Sequence, residues 1–208
     1  TVDVLNGLQV PVVVGIGDIG KMCRSSKLIS LTVLAVLLVV GSAGAQVPRG
    51  ELPLIITSSG QSPDALMIKL LGDQFKLNSV FEKTLEPNQL QGYRTLIIGI
   101  GGSVKGLGEA GIDTNDEIKR TNNVIAEARK QGMLVVAMHT GGHPRRGDLA
   151  DPFIHAAAPQ ADFLVIRNDG NRDGLFTQIA EQHNIPIVYI EQTMEVKDIL
   201  VEMFGIEL

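Results

Sequence analysis

The sequence predicts an α/β fold. The expected form is a single three-layer, doubly wound domain with a mainly parallel sheet, flavodoxin-like or Rossmann-like in its winding. Two observations carry that expectation. From Leu52 onward, short apolar runs alternate with amphipathic stretches, the pattern of strands joined by crossover helices. The runs are rich in Leu, Ile and Val with no polar alternation, as in strands buried on both faces. The chain has 208 residues, of which 44% are hydrophobic and 20% charged, enough for one such core.

Each element has a local reason. Leu52–Thr57 reads as the first strand. Ser62 is placed to cap a helix with Pro63 at its first position, and Leu66, Leu70 and Leu71 recur at helical spacing. Val80–Leu85 reads as a short edge strand beside the first, and Thr95–Ile100 as a buried strand. Thr114-x-x-Glu117 has the form of a capping box opening a helix to about Lys130, with Gly132 as its stop. Leu134–Met138 is the next strand, followed by a helix over about Asp148–Ala157 and a strand at Phe163–Ile166. Asp173 is placed to cap a helix to about His183. Pro186–Ile190 and Met194–Phe204 read as the last strand and helix.

The first 45 residues are expected to lie outside that fold. Leu28–Val40 is apolar apart from Ser30 and Thr32, but its 13 residues fall short of the roughly 20 that a membrane span needs. Lys21, Arg24 and Lys27 precede it, and Ala43-Gly44-Ala45 follows as a small-x-small cleavage pattern. Together these read as a secretory signal peptide over 22–45. Residues 1–21 are then expected to be an upstream read-through or fragment, and 46–208 the α/β domain. The expected location is extracytoplasmic, periplasmic or secreted, with no membrane insertion after cleavage near Ala45. Cys23, the one cysteine, lies in the signal region, so no disulfide framework or cysteine zinc cluster follows. The net charge of −5 argues against a nucleic-acid partner, and the absence of Trp against aromatic stacking platforms.

In open α/β sheets the ligand lies beyond the carboxyl ends of the strands, where the strand order reverses. The segments that follow the strands are polar. Ser58-Ser59-Gly60-Gln61-Ser62 leads into a helix N-terminus, which favours an anion. Gly101–Gly108 is dense in glycine and carries Lys105, but it has neither a Walker motif nor a third glycine for a dinucleotide turn. It reads as a loop, with the next helix starting near Thr114. His139, His143, Arg145 and Arg146 could move protons, bind metal or clamp an anion; equally, the arginines could pair with Asp148 and Asp151. Asp169-x-Asn171-x-Asp173-Gly174 matches the first half of a calcium loop, but the twelfth position is Ala180 and Glu181 comes one place late. Asp169, Asn171 and Asp173 are therefore weak metal candidates, and no metal is assigned. Ser103 lacks the second glycine of a nucleophile elbow.

The stretches Thr57–Ala65, Gly101–Gly111, His139–Gly147 and Gly170–Phe176 resemble a family of exported bacterial proteins catalogued only as a domain of unknown function. The resemblance covers about Leu52–Leu208. It implies an α/β domain behind a signal peptide and implies no activity. The Thr57–Ser62 loop is also loosely similar to a flavodoxin phosphate loop, while scarce aromatics and export argue against flavin.

The leading expectation is an exported protein binding a small anionic molecule at the C-terminal edge of the sheet. Ser59, Gly60, Gln61, Ser62, Gly102, Ser103, Gly106 and Asn171 would hold it; Lys105, Arg145 and Arg146 would neutralise it. Two alternatives stand beside it. One is an extracytoplasmic hydrolase using His139 or His143 as acid and base. The other is a module docking on a membrane-transport partner, which would need an exposed apolar patch. The cofactor stays unknown.

Overall fold

The computed structural model describes residues 46–207. The expected signal peptide and the segment 1–21 lie outside the described residues. A six-stranded sheet, all parallel, has the order β2-β1-β3-β4-β5-β6. Its strands are β1 (Leu54–Ser59), β2 (Val80–Phe81), β3 (Thr95–Ile100), β4 (Leu134–His139), β5 (Phe163–Arg167) and β6 (Ile187–Ile190). The helices are α1 (Asp64–Asp73), α2 (Val104–Ala110), α3 (Thr114–Lys130), α4 (Asp151–Ala157), α5 (Leu175–His183) and α6 (Val196–Phe204). This is a doubly wound α/β fold with the flavodoxin order extended by one strand, and β2 stands beside β1 as the sequence implies.

Strand side chains alternate between two cores even though the runs are apolar throughout. Ile55, Leu96, Ile98, Val135, Ala137, Leu164 and Ile166 face one layer with α3, α4 and α5. Leu54, Ile56, Ile97, Val136, Met138 and Val165 face the other, against Ala65, Ile68 and Leu71 of α1 and Val196, Leu200 and Met203 of α6. Burial on both faces explains the missing polar alternation.

Several expected boundaries shift. The edge strand is only Val80–Phe81, and β4 and β5 run on to His139 and Arg167. Ser62 is not the N-cap of α1; the helix begins at Asp64, and Ser62 Oγ accepts the Asp64 N–H (3.3 Å) one turn-like step earlier. Asp113, not Thr114, caps α3, its carboxylate accepting the Asp116 N–H. The largest correction lies at Gly101–Gly108, where α2 replaces the expected loop. Ser103 Oγ accepts the Gly106 N–H at its start, and Gly111 in the left-handed region (φ +68°) stops it.

Candidate functional site

The switch in strand order falls between β1 and β3, and there the chain is tightly determined. Gly60 and Gln61 both have positive φ, 91° and 60°, which turns the backbone sharply off β1. For Gln61 this is a strained conformation that the surroundings must hold. They do so through a buried ionic network. Glu117, on α3, is fully buried; its Oε1 accepts the Gly60 N–H and the Gln61 Nε2, each at 2.9 Å. Arg120, one turn on, donates from Nε to Glu117 Oε2 (2.7 Å) and from Nη1 to the Leu85 carbonyl (2.9 Å). Its Nη2 reaches the Ser58 carbonyl. Gln61 Nε2 also donates to the Lys83 carbonyl (3.1 Å). Two acceptors fix the amide orientation and leave Gln61 Oε1 buried without a donor among the described residues. On the other side of the turn, a Cβ at Gly106 would lie 2.0 Å from the Gln61 carbonyl oxygen, so α2 approaches as closely as only glycine allows.

Beside this turn is a cleft of about 520 Å³. Gln61, Ser62, Ser103, Lys105, Gly106 and Arg145 line it together with Pro63, Leu66, Phe81, Lys83 and Glu109. Three cationic side chains face a single carboxylate. Lys83 and Lys105 share Glu109 at 3.8 and 3.7 Å, and Lys105 is 87% exposed. Arg145 makes no side-chain ion pair or hydrogen bond among the described residues. Ser62 Oγ donates to Asp64 Oδ2 (3.0 Å), and that carboxylate packs against Gly101 and Gly141 at the ends of β3 and β4.

The other expected site residues are placed differently. Ser59 is fully buried and accepts from Thr121 Oγ1 (3.1 Å); Gly102 bridges to Gln61 and packs against Leu149. Arg146 does not line the cleft. Its guanidinium pairs with Asp151 (3.0 Å) and Asp173 (2.7 Å), donates to the Gly170 carbonyl and lies 5.4 Å over the Phe176 ring. That bond holds the Asp173 carboxyl below the usual carboxylate range. Asn171 closes the start of α5, accepting the Phe176 N–H (2.9 Å) and donating to Thr177 and Tyr189 hydroxyls. Asp169 pairs with Arg167 (3.0 Å). Each side chain of the half calcium loop thus contacts protein groups, Asp169 through Oδ2 while its Oδ1 is buried without a hydrogen-bond donor, and no cluster of three or more metal-ligating side chains occurs among the described residues. His143 and Arg146 border a second cleft of about 330 Å³ with Asp151, Arg172 and Asp173.

His139 is fully buried. Its Nδ1 faces the Ile100 carbonyl (3.0 Å), its Nε2 faces the Gly142 carbonyl (3.2 Å), and its ring centroid is 5.2 Å from that of Phe176. Both nitrogens are occupied by backbone, which leaves neither to a substrate in this arrangement. Burial pushes the imidazole below the ordinary histidine range, against the carbonyls of Ile100 and Gly142, which favour its charged form. The unfolded chain takes up this proton near pH 6.5, the folded chain only at lower pH. Stability from this group is therefore complete above about pH 6.5 and falls as pH drops towards the folded value. The expected NMR titration midpoint of His139 lies below 6.5; a midpoint at or above 6.5 would contradict this account.

Sequence reasoning missed Glu117 in this role, Arg120, Lys83 and Glu109. The signal for the first two was present: they share the α3 stripe of Thr121, Val124, Ile125 and Ala128 at helical spacing, so both were bound to face the core. Lys83 and Glu109 had no such periodic signal.

Fold and edge together define a doubly wound α/β domain with a cationic cleft at its switch point. The chain belongs to the family described as Domain of unknown function (DUF6305), whose model matches residues 51–204. Comparison with curated proteins finds no match. Among solved structures, the chain is similar to the psychrotrophic esterase EstA from Pseudoalteromonas sp., in a structure inhibited by monoethylphosphonate. The identity is 12% and the TM-score 0.33, over 74% of this chain and 94% of that one.

Proposed function

We propose that the protein binds a small anion in the cleft between the Gly60–Ser62 turn and α2, on the outer side of the cytoplasmic membrane after removal of a signal peptide. The observation that supports this reading is the charge arrangement: Lys83, Lys105 and Arg145 against Glu109 alone, at the sheet edge where this architecture holds ligands. The Ser103 hydroxyl borders the same space and can supply a neutral donor, since its oxygen only accepts from the Gly106 N–H; the Ser62 hydroxyl is committed to Asp64. Arg145 makes no ion pair or side-chain hydrogen bond among the described residues, and the Asp64 carboxylate beside its stem at Gly141 is already bound to Ser62, so its guanidinium can take an oxyanion in a two-pronged contact. An acid/base role for His139 finds no support in its buried, carbonyl-bound position, and His143 stands at the second cleft instead.

The test is calorimetric titration of the purified chain with inorganic phosphate and with acetate. Arg145→Ala combined with Lys105→Ala is expected to weaken binding at least tenfold, since charge-assisted hydrogen bonds each contribute about 1.5–3 kcal/mol. Unchanged affinity in the double variant would sink the assignment. Arg146→Ala would then become the informative variant, because it reports on the second cleft.

A further inference from the structure

The cationic cleft also has an apolar wall. Pro63, Leu66 and Phe81 line it together with Lys105 and Arg145. The wall continues beyond the cleft mouth. Leu66 is 41% exposed, Leu70 one turn along α1 is 50% exposed, and Met67 between them is 42% exposed. Residues four apart on a helix share a face, so Leu66 and Leu70 extend one apolar strip over about 6 Å. The inner face of α1, Ala65, Ile68 and Leu71, is already packed against the sheet. The outer leucines therefore have no partner in that core. A run of exposed apolar side chains that begins inside a charged cleft is the pattern of a ligand site, with polar groups at one end fixing orientation.

We infer that the ligand is an amphiphilic anion: an oxyanion head held by Lys105 and Arg145, with an alkyl body lying along Leu66 towards Leu70. This inference rests on the anion reading above and adds the body to the charge. The cleft size, about 520 Å³, suits a small molecule better than a protein segment. The strip consists of a few side chains leading out of the cleft, which matches one chain of several methylenes.

The test is titration of the purified chain with acetate, butanoate, hexanoate and octanoate, with hexanol as the uncharged counterpart. Affinity is expected to rise about threefold per methylene, slightly under the value for complete burial of each one. Leu66→Ser and Leu70→Ser are expected to flatten that slope; both side chains are exposed, so the fold tolerates the change. Equal affinity across the series would overturn the amphiphile inference and leave the anion site standing. Hexanol binding as tightly as hexanoate would overturn the anion reading and leave the apolar strip. Absence of binding throughout overturns the amphiphile inference, and absence of phosphate binding as well overturns both. A slope that survives both leucine variants overturns the placement of the alkyl body.

Discussion

Glu117→Ala is expected to destabilise the protein by about 3–5 kcal/mol, the effect of leaving a buried charge without its partner. The reason is the environment of Arg120, which is 8% exposed and has no other carboxylate within its hydrogen-bonding set. The same substitution strips the Gly60 N–H and Gln61 Nε2 of a shared acceptor. The strained turn at Gln61 then loses the group that holds it, and the cleft loses one wall. In a domain of this size the loss corresponds to a melting temperature lower by on the order of 10 °C. Denaturant unfolding measures it directly. A change within about 0.5 kcal/mol, typical of a surface site, would show that the network does not bear on stability.

Gly99→Val is expected to cost about 3 kcal/mol or more, at the upper end of overpacking effects. Gly99 lies in β3 on the face covered by α1. A Cβ there would stand 2.7 Å from the Cα and Cβ of Ala65 and 2.8 Å from its nitrogen, all part of a rigid helix. The helix must lift from the sheet, and it carries Pro63 and Leu66 at the cleft. Gly108→Ala is the matched control. A Cβ at Gly108 meets nothing within 4 Å, so replacing this exposed helical glycine should stabilise by about 0.5–1 kcal/mol. Chemical denaturation of the two variants should shift in opposite directions. Equal stability of Gly99→Val and wild type would refute the close approach of α1 to β3.

The parallel sheet was readable because its strand residues are mostly apolar, as burial on both faces requires. The edge strand was placed correctly beside β1, yet it shrank to Val80–Phe81 because only Ile55 and Ile56 of β1 pair with it. The glycine-rich segment after β3 was misread for a physical reason. Gly106 and Gly108 lower helix propensity, but Gly106 is there to admit the Gln61 carbonyl, and Ser103 supplies the cap that starts the turn. The capping-box reading of Thr114-x-x-Glu117 failed because Glu117 is drawn inward to Gly60, a partner far away in sequence. Local pattern cannot show such a pairing. Arg145 and Arg146 are neighbours in sequence with opposite fates. Arg146 is consumed by Asp151 and Asp173, the first of which was a visible candidate, whereas Asp173 arrives only through the fold.

Backbone amide shift mapping during titration with hexanoate tests the central claim most directly. The largest shifts are expected on Gln61–Asp64 and Ser103–Gly106, around the first cleft. Shifts concentrated on Gly147, Gly170 and Asp173 instead, around the second cleft, would contradict it.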